Sequence, residues 1–215
     1  DGWNGFNVLH HAAGRVGALD LGFVPAQSGR NIAEIFAGCV SGDIKFVYLL
    51  GADEFDMGLL GNSFVVYQGS HGDDGAHRAD VIFPAATYTE KEATYVNMEG
   101  RVQRTKRAVF PVGQAKEDWK ILRALSDVLV KPLTYDSVGE LRKRMEQVAP
   151  HFAKVGEIVP AQPVSGYQKP KTLITSEPFD NFIINFYMTD PISRASKVMA
   201  ECTKIATAQQ IKKVA

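Results

Sequence analysis

Apolar residues gather in three short unbroken runs ahead of residue 90, in "DIKFVYLLGAD" (44–50), "SFVVYQG" (63–69) and "ADVIFPA" (79–85, closed by Pro84). Runs of this length bounded by Gly, Asp or Pro predict strands buried on both faces. The connections between them are roughly a dozen residues long, the least a parallel crossover needs. The pattern predicts an α/β fold with a doubly wound, mostly parallel sheet. In such a sheet ligands sit beyond the carboxyl ends of the strands. The loops "GADE", "GSHGDDGAHR" and "AATYTEKE" would then gather along one edge.

Helical periodicity fills the rest. "NGFNVLHHAAGRVGALDLG" reads as a helix with Val8, Leu9, Ala12, Ala13 and Val16 on one face. "NIAEIFAG" has Asn31 as N-cap and Gly38 as stop. "KEDWKILRALSDVLV" carries an apolar stripe of Ile121, Leu122, Leu125, Val128 and Leu129. "SVGELRKRMEQVAPHF" opens on a capping box of Ser137 and Glu140, with Leu141, Met145 and Val148 turned inward. A Pro-rich connector, "PAQPVSGYQKPKT", precedes a last helix capped by Asp190 with Pro191 in its first turn. Its stripe is Ile192, Ala195, Met199, Cys202 and Ile205. These signals divide the chain into an α/β domain, 1–158, and a linker with a helical tail, 159–215.

Charge changes the picture in one respect. The chain is neutral overall, which argues against a nucleic-acid binder. Yet residues 1–100 hold 13 acidic and 5 basic side chains, and the remainder hold 11 and 19. The two halves are therefore of opposite sign. No apolar run approaches the ~20 residues that span a bilayer, so no membrane insertion is expected. Two cysteines, Cys39 and Cys202, lie far apart and cannot form an iron–sulphur or four-cysteine zinc site by themselves. The first residue is Asp, which suggests a piece of a longer polypeptide.

Candidate chemistry is thin. His71, Asp73, Asp74 and His77 could ligate a metal, but their spacing fits no standard loop and suits turn formers and caps better. No metal site is expected. Neither GxGxxG nor GxxxxGK[ST] occurs, nor a GxSxG elbow. Glu90 and Glu92 would share a face on a strand, with Lys91 and Arg101 near enough to neutralise them. "RVQRTKR" places four cations in seven residues without an interleaved aromatic, a poor nucleic-acid groove.

The run "ADVIFPAATYTEKEATYVNMEGRVQRT" resembles the molybdopterin oxidoreductase superfamily. Within it, "FVYLLGADE", "FVVYQGSHGDDGAHRAD", "EDWKILRALSDVL" and "NFYMTDPISRASKVMAEC" are similar to the large iron–sulphur subunits of respiratory complex I. The resemblance covers nearly the whole chain. It implies a structural, non-catalytic segment in the peripheral arm of a proton-translocating NADH:ubiquinone oxidoreductase. That assembly works at the mitochondrial inner membrane, on the matrix side, beside other peripheral-arm subunits. The resemblance also implies 4Fe-4S and 2Fe-2S clusters in an amino-terminal part outside these residues, and no molybdenum. The alternative is a fragment of a cofactor-bearing molybdopterin oxidoreductase.

By the same resemblance the loop after the third strand once lay beside a pterin. Its remnants are Glu92, Thr94, Asn97, Glu99 and Arg101, with Gly100 and Gln103. Two positions depart from the pattern, Ala93 for Gly and Met98 for Thr. A methyl at residue 93 would hinder close approach of the backbone to a ligand, and Met98 is expected to fill space. The pocket is thus expected to be vestigial, without catalytic residues.

Overall fold

A computed structural model describes residues 8–158, Ser176 and residues 185–214, with side chains to residue 209. The chain divides into two compact units. Leu9–Val159 holds every described strand, and the other unit holds the last two helices.

The three apolar runs are the strands β1 (Phe46–Leu50), β2 (Phe64–Gly69) and β3 (Val81–Pro84). They pair in parallel, in the order β1-β2-β3, with Phe46 opposite Phe64 and Tyr67 opposite Ile82. One face packs on α2 (Ile32–Ser41), a 3-10 turn (Met57–Leu60) and α3 (Asp74–Arg78). The core there is Cys39, Leu49, Leu60, Val65 and Tyr67, flanked by Ile35, Phe36, Phe55 and Ala76. Val65 and Tyr67 point to this face because strand side chains alternate. Tyr67 keeps its hydroxyl satisfied by donating to Asp53 Oδ2 at 3.0 Å.

The expectation of strands buried on both faces holds only for the middle strand. β2 buries residues 65 to 68, whereas β1 exposes Phe46 and Leu50, and β3 exposes Val81, Ile82 and Pro84. Within the described residues the second face of the sheet has no helix across most of its breadth.

A second core stands beside this one. The hairpin β4 (Thr94–Val96) and β5 (Val102–Arg104) is antiparallel. Val96 and Val102 pack with Ala149 and Phe152 against Val16 and Leu21 of the α1 region (Arg15–Asp20) and Met145 of α5 (Val138–Val148). α4 (Asp118–Val128) leads into α5.

Several boundaries differ from the periodicity. α1 begins at Arg15, because residues 8–10 are irregular and residues 11–14 form bends and turns, which leaves Val8, Leu9, Ala12 and Ala13 exposed. α2 starts on Asn31 as expected, with Asn31 and Glu34 in a reciprocal capping box. It runs past Gly38 to Gly42, which takes the left-handed conformation at φ 81°. Gly38 is instead a packing residue, since a Cβ there would lie 3.0 Å from Ile44. Val128, Leu129 and Val148 are exposed, so the stripes of α4 and α5 are narrower than their sequences suggest. Half of the α5 capping box forms: Ser137 accepts from Glu140 N, while Glu140 reaches back to Asp136 N. That backbone N–H holds the Glu140 carboxyl below its ordinary range.

In the second unit, Asp190 caps α6 (Pro191–Arg194) by accepting from Ile192 N and Ser193 N. α7 (Lys197–Val214) is separate from it, so the single helix expected here is broken near Ser196. Ile192, Ala195 and Ile205 of the expected stripe are exposed, while Met199 and Cys202 are half-buried. The Pro-rich connector lies outside the described residues. Among the described residues no helix is long and apolar enough to cross a membrane.

Candidate functional site

The strand ends meet α4 through main-chain bonds. Beyond β3, Ala85 forms a parallel bridge with Lys116, and Ala86 N donates to Lys116 O at 2.8 Å. This seats the first turn of α4 against the carboxyl ends of β2 and β3. Gln68, fully buried, donates from Nε2 to Asp118 Oδ1 at 2.9 Å. Its Oε1 accepts from the Tyr48 hydroxyl. Lys91 closes the set as an ion pair with the other Asp118 oxygen. Burial, and then the Asp118 charge, push the Tyr48 hydroxyl pKa above its usual value.

A cavity of about 270 Å³ opens beside this network. Its walls are the 91–95 segment, the start of α4 with Trp119, and the inner side of α5 with Leu141, Arg142 and Met145. Each acidic group on its lining is engaged. Glu92 pairs with Arg142 at 3.1 Å, and Asp118 with Lys91. Glu117 accepts from Trp119 Nε1 at 2.8 Å and pairs with Lys120 at 3.1 Å. Both lining cations, Lys91 and Arg142, are therefore neutralised in place.

The five residues singled out from the loop do not converge. Glu92 and Thr94 line the cavity. Asn97, Glu99 and Arg101 lie in the β4–β5 turn instead. Asn97 Oδ1 accepts from Glu99 N and from Arg101 N, both at 3.0 Å, and Gly100 supplies φ 79°. Arg101 donates to Gly156 O at 2.7 Å. These three build a tight hairpin, which is what Asn and Gly do at turns. Gln103 is exposed on β5. Met98 is 47 % exposed at the turn, so it fills no cavity within the described residues, contrary to expectation. Ala93 does line the cavity, with its N–H bonded to Thr105 Oγ1 at 3.0 Å.

Glu90 and Glu92 do not form a pair. Glu90 sits in a 3-10 turn (Tyr88–Glu90) and accepts from Thr87 N at 3.1 Å, while Glu92 turns to Arg142. Neither Lys91 nor Arg101 neutralises them. The "HGDDGAH" segment forms α3: Asp73 caps it, and His77 Nδ1 meets the Asp73 carbonyl at 3.0 Å. Among the described residues no three of His, Cys, Asp or Glu are placed to hold a metal. Gln68 and Arg142 were missed from sequence alone. Gln68 could have been noticed as the one amide side chain inside an otherwise apolar strand.

A bound pterin carries a phosphate and needs free donors around it. At this cavity most donors are already engaged. The Ala93 N–H and Lys91 already have partners, and Arg142 gives Nη1 to Glu92, which leaves its buried Nε and Nη2 as the lining donors without a hydrogen-bond partner.

Residues 1–128 match the molybdopterin oxidoreductase family. The chain belongs to that family. Residues 157–202 match a second family, the carboxyl-terminal region of the NADH-ubiquinone oxidoreductase G subunit. Over 94 % of its length the chain is 48 % identical to the NADH-ubiquinone oxidoreductase 75 kDa subunit of Reclinomonas americana. It is 47 % identical over 94 % of its length to the mitochondrial NADH dehydrogenase [ubiquinone] iron-sulfur protein 1 of Solanum tuberosum. Over 95 % it is 42 % identical to the NADH-quinone oxidoreductase G subunit of Rickettsia bellii. The chain spans 26 to 29 % of the length of these relatives. In this molybdopterin-oxidoreductase fold, the loop after β3 is occupied by its own ion pairs and turn bonds.

Proposed function

We propose that the chain is a carboxyl-terminal, non-catalytic part of the large iron–sulphur subunit of a respiratory NADH:quinone oxidoreductase. It serves as a scaffold that holds the cluster-bearing part of the subunit against its neighbours in the peripheral arm. Its domains divide near residue 159, an α/β body followed by a tail that reaches other subunits. The observation that carries this reading is the tandem order of two family matches in one chain, molybdopterin oxidoreductase and then the carboxyl-terminal region of the oxidoreductase G subunit. Identity of 42 to 48 % along nearly the whole chain supports it.

The cavity supports the non-catalytic part of the reading. A general base or nucleophile needs a group free to take a proton or attack. Glu92, Glu117 and Asp118 are instead paired with neighbouring cations or donors. The cluster chemistry, 4Fe-4S and 2Fe-2S, then belongs to a cysteine-rich part of the polypeptide beyond these residues, since Cys39 and Cys202 give too few ligands. The assembly sits at the mitochondrial inner membrane, on its matrix side, and the chain itself does not enter the bilayer.

Affinity purification of the native polypeptide through a carboxyl-terminal tag tests this. Flavin- and cluster-containing subunits should co-purify with NADH oxidation activity. A polypeptide that migrates alone under mild detergent overturns the reading.

A further inference from the structure

Along α5, Val138, Leu141, Arg142 and Met145 fall at helical spacing on one face. Three are apolar, and the fourth is a guanidinium. All four line the 270 Å³ cavity, together with Trp119 of α4 and Tyr95 of β4. A cation set into an apolar stripe is costly unless its N–H groups are bonded.

The carboxylates of the lining are already taken. Asp118 is held by Lys91, Glu117 by Trp119 Nε1 and Lys120, and Glu92 by Arg142. Arg142 itself is only partly used. It gives Nη1 to Glu92 at 3.1 Å, while its Nε and Nη2 are buried without a hydrogen-bond partner among the described residues. A buried N–H that lacks an acceptor forfeits the bonds it made to water. Nε and Nη2 form one edge of the planar guanidinium, an edge that takes both oxygens of a carboxylate in parallel.

Size and charge narrow the occupant. An apolar cavity of about 150 Å³ accommodates benzene, so 270 Å³ has room for a ring with a short acid chain. Two aromatic rings in the lining, Trp119 and Tyr95, favour a flat body. Lys91, Arg142 and Lys120 already balance Asp118, Glu92 and Glu117. A phosphate dianion would therefore leave two uncompensated charges, and a monocarboxylate leaves one, in bidentate contact. An occupant rich in N–H groups would meet carboxylates that are all engaged.

We propose that this cavity binds a small aromatic monocarboxylate. Its two oxygens take the Nε–Nη2 edge of Arg142, and its ring lies among Trp119, Leu141 and Met145. Both nitrogens lie beneath the wall, out of reach of solvent, so the occupant draws the guanidinium round with Glu92 as the pivot. No bond is made or broken in the occupant. The assignment is independent of the scaffold role, and either holds without the other.

Saturation-transfer NMR of phenylacetate with the native full-length polypeptide, purified in its assembly, tests it. Binding should saturate, and phenylacetamide, which lacks the second acceptor and the charge, should bind about tenfold more weakly or worse. Arg142→Lys keeps the charge but loses the fork, and should weaken phenylacetate by about tenfold or more. Val138→Phe leaves Arg142 and Glu92 in place and fills the cavity, so it should abolish binding even where Arg142→Lys fails to assemble. Arg144→Lys, at an exposed cation of the same helix, should change nothing. Absence of saturable binding overturns the proposal, including the case in which another segment of the polypeptide already fills the cavity. So does affinity that survives Val138→Phe, since the acid would then be bound elsewhere.

Discussion

Gln68 and Asp118 meet at 2.9 Å, fifty residues apart in sequence, where the end of β2 faces the first turn of α4. The contact joins the parallel sheet to the helical half of the domain. It also shares its two groups with Tyr48 and Lys91, so four residues from four segments act as one polar unit.

Gln68→Leu should therefore destabilise the domain by about 2 kcal/mol, because the Tyr48 hydroxyl and one Asp118 oxygen lose their partners in a buried setting. Tyr48→Phe, which removes only one donor, should cost about 1 kcal/mol. Chemical unfolding followed by Trp fluorescence checks both. Equal, negligible effects would contradict the shared network.

Gly75 lies in α3, where Ala is normally better by about 1 kcal/mol. Here a Cβ would sit 2.6 Å from the Tyr67 ring and 3.0 Å from Asp53 Cβ. Tyr67 is 1 % exposed and bonded to Asp53, so it has nowhere to move. Overpacking of this kind costs roughly 1–3 kcal/mol and should outweigh the propensity gain. Gly75→Ala should lower the thermal midpoint; a rise would contradict the packing.

Val130 is the one described non-glycine residue with positive φ, at 56°. It ends α4 in a left-handed cap: Lys131 N donates to Ser126 O and Val130 N to Asp127 O, both at 3.0 Å. A branched side chain there is strained by roughly 1–2 kcal/mol. Its own side chain is 84 % exposed, so little packing is lost on removal. Val130→Gly should raise the urea midpoint by the equivalent of about 1 kcal/mol with the slope unchanged.

Asp190 is held below the ordinary carboxylate range, first by the Ser193 hydroxyl and then by the Ser193 and Ile192 backbone N–H groups. A depressed folded pKa gives stability that is complete above the unfolded value, about 3.9, and is lost as pH falls through the lower folded value. The start of α6 should hold at neutral pH and loosen below about pH 4. Asp190→Asn should keep the cap and abolish the pH dependence, while Asp190→Ala should cost about 1 kcal/mol at neutral pH. NMR shifts of the Ile192 and Ser193 amides, followed from neutral pH down to about pH 2, would show it.

The strands were legible because each is an unbroken apolar run closed by Gly, Asp or Pro, a signal that needs no tertiary context. The Asn31 and Asp190 caps were legible for the same reason, being local chemistry. Burial was not. Val128, Leu129 and Ile205 sit at helical spacing with the core residues, yet exposure depends on what lies across from them. The loop site was half legible: Asn97, Gly100 and Arg101 look like ligand groups in a string of letters, but local turn geometry makes them a hairpin. Arg142 was beyond reach, since its partner Glu92 lies fifty positions earlier.

The acidic groups that line the cavity beside Gln68 and Asp118 are held in the protein's own ion pairs, and the proposed scaffold role depends on no cofactor displacing them. Molybdenum and tungsten analysis of the intact, purified assembly, with iron measured in the same sample, tests this directly. Abundant iron with molybdenum and tungsten far below one atom per polypeptide is the predicted result. One molybdenum or tungsten atom per polypeptide, accompanied by extractable pterin and lost in a Glu92→Ala variant, would contradict it.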